Sequence, residues 1–498
     1  MSAVRANIAA NLAGQAWSVL LALACTPFYI GILGVEAYGL IAFFLVLQNI
    51  LQLLDLGLGS ALNREIARSG RTATPAFADF LATAQAWYWI LGVVIAAALF
   101  AGMPSLVRWW LNPQHVPVSE VSAAARAFAF IALIQWPSSY YSIGLAGLQK
   151  QVAANAIQMP FNTVAAIGGV LLVWLGPRSV AALFLWQAAV MAVQLVVVRG
   201  YFRAQMPPAA LGGRAGARAL ADTWRFSAGM SGIAITGAVL MHLDKLILSR
   251  LLPLEIFGHY SVAATVARGL YVLITPVFSA YFPRLSSLAA QHDGVAVQRC
   301  YHTATQVMAV LIVPLAAVLG LFPEEVLTLW LHNTQLAQAS APLVSLLIIG
   351  TCLNGLMNIP FALQLAYGNT RIGLTINVAL VFVLVPTLVA ATTWFGATGA
   401  AATWALSNAL YLAVGLPLTH RILLGGGLAT WAAKDVLPPF IAALAVAALG
   451  RWAMPAPIVG ASALYALGVV WMLATVVAVL AADVTRNWSL QAIRLRSL

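Results

Sequence analysis

The chain is dominated by long apolar segments that alternate with short polar connectors. About fourteen of them reach the roughly 20 residues that a helix needs to cross a bilayer. Only 8% of the 498 residues are charged, whereas a soluble globular protein carries about 25%. Because lipid offers no partner to open backbone groups, the segments are expected to be helices. The predicted spans are 11–32, 37–61, 79–103, 123–147, 152–175, 179–199, 226–250, 256–282, 300–322, 339–366, 372–394, 398–418, 435–454 and 458–482.

The basic residues are distributed unevenly across the predicted membrane. With the N-terminus in the cytoplasm, about 18 of the 25 Lys and Arg fall on the cytoplasmic side and about four outside. This asymmetry predicts a multi-pass protein with both termini in the cytoplasm. It also explains the net charge of +12, because basic residues on the cytoplasmic side orient the chain in the membrane. Anionic membrane lipids, rather than nucleic acid, are the expected partners of this charge.

The two halves of the chain share weak sequence matches at an offset of about 220 residues. LGVEAYG at 33–39 matches LPLEIFG at 252–258, and WLG at 174–176 matches WFG at 394–396. A repeat of six spans keeps its membrane orientation, which is typical of transporters. The predicted fold is therefore an all-α integral membrane protein with two pseudo-symmetric six-helix lobes and two C-terminal helices. The predicted parts are a first lobe at 1–200, a basic cytoplasmic linker at 201–225, a second lobe at 226–420 and the two added helices at 435–482.

Signatures of common enzymes are missing from the sequence. It contains no H-E-x-x-H, no G-x-S-x-G and no Walker A lysine loop. We therefore expect no enzyme activity and no cofactor, and transport that is passive or driven by an H⁺ or Na⁺ gradient. The adjacent carboxylates Glu324 and Glu325 follow Pro323, a pattern that predicts the start of a short interfacial helix.

Ionisable residues inside membrane spans are costly, and this makes them the first candidates for function. Arg268 lies near the middle of its predicted span and is expected to line a working cavity or to pair with Asp244. Lys245 and Arg126 lie close enough to the outer surface to extend toward it. Asp244 and Lys245 are neighbours on a helix and are not expected to face each other. Asp55 is expected either to serve function or to pair with an arginine at Arg64 or Arg68.

Uncharged polar residues recur every three or four positions in several spans, so each set shares one helix face. Such stripes indicate either hydrogen bonding between helices or the wall of a polar cavity. The stripe residues that we select as cavity-lining candidates are Asn11, Gln15, Gln52, Asn155, Asn162, Tyr271, Asn354 and Asn358.

The chemistry of these groups indicates a ligand class. Amides and aromatic rings suit sugars, and cationic side chains suit phosphate because they form charge-assisted hydrogen bonds with it. A sugar carried on a lipid phosphate satisfies both requirements. Arg268, Lys245 and Arg126 are the candidate phosphate ligands, and Asp55 and Asp244 are candidates for a coupling cation.

Several stretches of the sequence resemble the Wzx-type polysaccharide transporters. They are NLAGQAW at 11–17, PFYI at 27–30, LGVEAYGL at 33–40, LDLGL at 54–58, DKLIL at 244–248 and FGHY at 257–260. That family belongs to the superfamily of the MATE multidrug exporters and the lipid II flippase. The resemblance implies two lobes around a central cavity that works by alternating access. It also implies cationic residues for a pyrophosphate, which would be Arg268, Lys245 and Arg126 here.

The resemblance further implies the substrate and the location. The substrate would be an undecaprenyl-pyrophosphate-linked oligosaccharide, flipped from the cytoplasmic to the periplasmic leaflet of a bacterial inner membrane for exopolysaccharide or O-antigen-type assembly. A xanthan-type exopolysaccharide is one candidate product, and a polysaccharide polymerase with its export machinery would be a partner. Twelve spans are common in that family, so the helices at 435–482 depart from its pattern.

Two other functions stay open on the sequence alone. A cation-coupled multidrug antiporter of the same fold would prefer an acidic cavity, which the basic excess among in-span charges opposes. A membrane polysaccharide polymerase would need a large outer loop with catalytic charges. The longest predicted outer connector, 104–122, has only about twenty residues.

Overall fold

The computed structural model describes residues 2–55, 57–69, 74–216, 242–454 and 460–483, which are almost entirely helical. The prediction of an all-α protein is confirmed. The helices α1 to α7 are Ser2–Leu33, Val35–Leu51, Leu58–Ser69, Pro75–Trp110, Val118–Gly147, Gln151–Leu175 and Val180–Gln205. Helix α8 covers 242–251. The helices α9 to α17 are Leu254–Arg268, Tyr271–Ala290, Gly294–Leu321, Pro323–Leu331, Thr334–Ala366, Thr370–Thr419, Leu428–Thr430, Leu437–Ala453 and Ala461–Ala481.

Eleven helical segments in the described ranges are long and apolar enough to cross a membrane. The predicted span 37–61 differs from these, because the apolar helix α2 is only 17 residues long and is followed by a 3-10 turn at Gln52–Asp55. Most of the predicted span 226–250 lies outside the described residues. The predicted spans 372–394 and 398–418 form the single long helix α14, which breaks at Gly396. The number fourteen therefore stays a prediction.

Glycine explains the break in α14. Gly396 has φ 61° and ψ −143°, a conformation that side chains with a Cβ rarely adopt. The break falls between two predicted spans, where the chain is expected to turn.

Near Glu324, the prediction of a short helix is confirmed, because α12 begins at Pro323 and carries Glu324 and Glu325 in its first turn.

The chain forms two compact units, Met1–Gly258 and His259–Leu498. The first unit is built around an aromatic core that joins α3, α4, α5 and α7. Its fully buried rings include Tyr88, Tyr140, Tyr141 and Phe202. In the second unit, Val318 lies in α11 and Phe322 directly follows that helix. Both pack against Ala447 of α16 and Val470 of α17. The C-terminal helix pair, α16 and α17, is thus packed onto the second unit along α11.

Within the first unit, the two segments matched by the sequence repeat contact each other. A Cβ on Gly39 would lie 2.6 Å from the carbonyl oxygen of Leu254. A Cβ on Gly258 would lie 2.3 Å from the carbonyl oxygen of Val35. Glycine is therefore required on both sides where α2 approaches the first turns of α9.

The Gly258→Ala substitution is expected to destabilise the protein by about 1–3 kcal/mol, because the added methyl group forces two backbones apart. Thermal unfolding of the purified protein in detergent measures the effect. Gly31→Ala in α1 is the matched control, since a Cβ there meets nothing within 4 Å. Equal stability of the two variants would contradict the close approach of the helices.

A buried carboxylate fixes the loop between α4 and α5 in the first unit. Glu36 is 5% exposed, and its carboxylate accepts hydrogen bonds from the backbone N–H groups of Gln114, His115 and Val116 at 2.5, 2.8 and 3.1 Å. Its counterpart in the repeat, Glu255, lies 3.7 Å from Nε2 of His115. Both repeat-related glutamates therefore contact the same loop, Glu36 by buried backbone hydrogen bonds and Glu255 by an exposed contact with the His115 ring.

Candidate functional site

In the first unit, the polar stripes of α1 and α6 face each other. The Asn155 side-chain amide donates to Oδ1 of Asn11 at 2.7 Å, and the Asn162 amide donates to Oγ of Ser18 at 3.2 Å. These are helix-to-helix bonds of the kind that membrane bundles use. Asn11 and Ser18 nevertheless stay exposed, as does Gln15 on the same face. The first alternative, hydrogen bonding between helices, is thus observed for these residues. Cavity lining stays a prediction for the exposed polar groups on this face.

Asp55 occupies the break between α2 and α3. The hydroxyl of Tyr88 donates to its Oδ1, and the backbone N–H of Gly59 donates to Oδ2 at 2.8 Å. Arg68, one of the expected partners, instead pairs with Glu65 at 3.0 Å. Gln52, at the start of the same 3-10 turn, is exposed. The carboxylate of Asp55 is therefore half-buried and joins a helix break to the aromatic core.

The other two cationic candidates of the first unit have local partners. The guanidinium of Arg126 is exposed and lies 5.9 Å from the centre of the Phe100 ring, within the range of a cation–π contact. Nζ of Lys245 lies 3.3 Å from Oδ2 of Asp244. The prediction that these helix neighbours do not face each other is wrong, because the flexible lysine side chain bends back to its neighbour. Asp244 thus offsets the charge of Lys245.

Arg268 is the last residue of α9, and a turn at Gly269 and Leu270 separates it from α10. The interrupted apolar segment runs over Leu254–Ala290, so the break lies near its middle. The Arg268 side chain is exposed. It forms no ion pair with any residue that the structure describes. A helix C-terminus favours a cation because the free carbonyls carry partial negative charge.

A hydrogen-bond network of the second unit begins one turn beyond Arg268. The Tyr271 hydroxyl donates to Oδ1 of Asn354 at 2.8 Å, and the Asn354 amide donates to Oδ1 of Asn408 at 2.8 Å. The Asn358 amide donates to the backbone carbonyl of Asn354 at 2.9 Å. The network joins α10, α13 and α14 and brings together three of the predicted cavity-lining residues.

Asn408 is a member of this network that the sequence interpretation missed. The sequence analysis selected no stripe in this span, although Asn408 with Tyr411 three positions further on was a usable signal. Buried Gln364, which donates to Oγ1 of Thr419 at 2.7 Å, was also missed. In the described ranges, no three His, Cys, Asp or Glu side chains are grouped as metal ligands would be.

Comparisons with known proteins give both family and fold. Residues 31–341 match the family described as "Polysaccharide biosynthesis protein". A relative from Shigella flexneri, named "Putative O-antigen transporter", is 24% identical over 409 residues, which cover 80% of this chain and 93% of the relative.

Two solved structures share the fold at low sequence identity. The lipid II flippase MurJ in an inward closed conformation has a TM-score of 0.69 and 10% identity, covering 95% of this chain and 98% of that chain. An inward-facing multidrug resistance MATE family transporter of the MOP superfamily has a TM-score of 0.66 and 15% identity. The match covers 84% of this chain and 96% of that chain. These similarities establish a fold of the MATE and MurJ type.

Proposed function

The chain belongs to the polysaccharide biosynthesis protein family, and from this premise we propose that it flips a lipid-linked oligosaccharide between the leaflets of a membrane. The resemblance of the sequence to the Wzx-type transporters is confirmed at the level of family and fold. The proposed substrate is an undecaprenyl-pyrophosphate-linked repeat unit. The proposed direction is from the cytoplasmic to the periplasmic leaflet of a bacterial inner membrane.

The observation that carries the proposal is the exposed guanidinium of Arg268 at a break in an apolar segment. An exposed cation at this depth is unfavourable in hydrocarbon, so it requires water or an anionic ligand. Arginine binds phosphate oxygens with two parallel hydrogen bonds. A pyrophosphate linker is therefore the part of the substrate that Arg268 would hold.

The polar side chains supply the second part of the proposal. The exposed amides on α1 and the network around Asn354 offer both donors and acceptors, as a hydroxyl-rich sugar requires. Exposed amides on apolar helices are unfavourable against lipid tails, so they are expected to face water. The oligosaccharide would move along these surfaces while the lipid tail stays in the bilayer.

The remaining candidates keep the roles that the sequence predicted. Lys245 and Arg126 are proposed as further pyrophosphate ligands, although each already has a local partner in the structure. Asp55 and Asp244 are proposed for a coupling cation. Both chain termini are proposed to lie in the cytoplasm, and a polymerase would take the delivered repeat units.

Deletion of the gene tests the proposal. We expect polymer to fall at least about tenfold, because the repeat unit cannot cross the hydrocarbon unaided, and repeat units to accumulate in the cytoplasmic leaflet. Their leaflet is measured by labelling the sugars with a membrane-impermeant reagent in spheroplasts and in inverted vesicles, with the re-expressed gene as the control. Single repeat units accumulating in the periplasmic leaflet would indicate a polymerase instead. Normal polymer with raised drug susceptibility would indicate a drug antiporter.

A further inference from the structure

A buried carboxylate in the second unit is paired with a histidine. Asp435 is 1% exposed and lies in the π-helical segment Trp431–Val436, before α16. Nδ1 of His302, on α11, is hydrogen-bonded to Oδ2 of Asp435. The Gln306 amide, one turn further along α11, donates to Oδ1 at 2.9 Å. Both carboxylate oxygens are thus held by one face of α11.

The charge balance of this pair requires a proton. Asp435 lies in the apolar segment Leu428–Ala453, where an unpaired charge is strongly unfavourable. Among the residues that the structure describes, His302 is the basic group within ion-pair distance of Asp435. The pair is electrically neutral only when it carries one proton in addition to the one on Nδ1 of His302. The site therefore has a dissociable proton.

The geometry assigns that proton to one nitrogen. An ionised carboxylate can only accept hydrogen bonds, so Nδ1 of His302 is the donor to Asp435 in both states of the ring. The exchanging proton then belongs to Nε2. The His302 side chain is 25% exposed, so the ring is accessible from outside the packed helices while Asp435 stays buried. Proton binding makes the ring an imidazolium, and proton release leaves the buried carboxylate uncompensated.

The neighbouring titratable groups are part of the same cluster. The Tyr301 and His302 ring centres are 5.6 Å apart. The Tyr301 hydroxyl lies 2.9 Å from Nε2 of His420. The elements packed around the His302–Asp435 pair also carry charged residues near this end, and these side chains are exposed. They are Arg284, Arg299, Arg421, Lys434 and Asp483.

The pair lies at the joint that connects α14 to the C-terminal helix pair. Gly425, Gly426 and Gly427 all have positive φ, so the chain turns sharply there. Nδ1 of His420 is hydrogen-bonded to the Gly426 carbonyl at 3.1 Å. At the far end of α16, Arg451 pairs with buried Glu325. Acid–base pairs thus fasten both ends of α16, and the His302 pair is the one that contains an exchangeable proton.

We propose that His302 and Asp435 form a proton-binding site, and that its occupancy controls transport through the joint before α16. This inference rests on the proposed flippase function, and it adds a proton site in the second unit to the cation candidates Asp55 and Asp244. A proton arriving from the predicted cytoplasmic side binds Nε2 of His302 and neutralises the pair. Its release leaves a buried negative charge beside the joint, which favours a different packing of this segment against α11.

Paired substitutions separate proton binding from simple attachment of the helices. His302→Gln with Asp435→Asn keeps a hydrogen-bonded pair but removes the dissociable proton, whereas His302→Asp with Asp435→His exchanges the two groups and keeps it. In the deletion strain, at equal membrane abundance, the neutral pair is expected to make less than about a tenth of wild-type polymer, because it cannot alternate its charge. The exchanged pair is expected to recover at least about a third, because it can bind a proton. Wild-type polymer from the neutral pair would overturn the proposal.

His332→Asn is the matched control for histidine replacement. His332 is exposed at the end of α12 with φ 53°, a conformation that asparagine adopts readily. We expect this variant to make wild-type amounts of polymer. Thermal unfolding in detergent checks that each pair variant folds.

A second measurement needs no substrate. Protein labelled with ¹⁵N-histidine in lipid nanodiscs is examined by NMR over a range of pH, and His302→Gln identifies the His302 signal among the seven histidines. We expect the His302 signal to respond to pH, and to respond differently in Asp435→Asn, because the carboxylate is the hydrogen-bond partner of the ring. A wild-type His302 signal that does not respond to pH would contradict the site even if no pair variant folded. If the wild type moves no lipid-linked oligosaccharide, the proposed function fails, and the NMR result still decides whether the proton site exists.

Discussion

Replacing Arg268 with alanine is expected to lower polymer output at least about tenfold, because a charge-assisted hydrogen bond contributes about 1.5–3 kcal/mol. The side chain is exposed, belongs to no ion pair among the described residues and sits where an apolar segment breaks. Its loss removes the group proposed to hold the pyrophosphate. Lipid-linked repeat units should then remain in the cytoplasmic leaflet, as measured by impermeant labelling of the sugars.

Two further variants sharpen this test. Arg268→Lys keeps the positive charge but lacks the planar guanidinium that forms two parallel hydrogen bonds with phosphate. We therefore expect an intermediate loss of polymer output. Arg371→Ala, which removes an exposed arginine from the first turn of α14 in the same unit, is expected to leave polymer output unchanged. Full periplasmic delivery by Arg268→Ala at normal protein abundance would remove Arg268 from the mechanism.

Replacing Glu36 with alanine is expected to have the largest effect on stability. Three backbone N–H groups lose their acceptor at once, and an unsatisfied buried donor costs about 1–3 kcal/mol. Water reaches the exposed part of this loop and satisfies part of these donors. We therefore expect the free energy of unfolding to fall by about 3 kcal/mol, less than the sum of three fully unsatisfied donors. Thermal unfolding in detergent should show a melting temperature lower by about 3 °C, because the unfolding entropy of a chain of 498 residues is about 1 kcal/mol/K.

The sequence repeat provides the control for this prediction. Glu255 occupies the position equivalent to Glu36, but its side chain is 40% exposed and its partner is the exposed His115. Glu255→Ala should therefore cost less than about 1 kcal/mol, as expected of an exposed ion pair. Equal destabilisation by Glu36→Ala and Glu255→Ala would show that the buried hydrogen bonds are not the source of the stability.

The features that sequence reasoning predicted well are local in the chain. The break at Gly396 and the short helix at Glu324 follow from glycine conformation and from helix-start residues. The polar helix faces that carry Asn11 and Asn155 follow from the three-to-four spacing of a helix, whereas the contact between them does not. Each of these depends on residues within one or two turns, so a pattern in the sequence is sufficient to identify it.

The features that were missed depend on residues far apart in the chain. His302 and Asp435 are 133 positions apart, and Glu36 and the loop at His115 are separated by 79. One of the two alternatives for Asp55 was a pair with Arg64 or Arg68, whereas the structure shows a contact with a tyrosine 33 positions away. Periodicity cannot identify such partners, because helix packing alone brings them together.

By itself, the sequence determined that this chain is a bundle of apolar helices with polar and cationic residues at intramembrane depth. The physical reason is that hydrocarbon satisfies no backbone group, so length and hydropathy alone impose the helix. Tertiary structure decided which of the embedded polar groups are neutralised and which stay available. Buried Glu325 is paired with Arg451 of another helix, whereas Arg268 remains exposed. Whether a charge is compensated depends on how closely other helices approach it, and this is a property of packing.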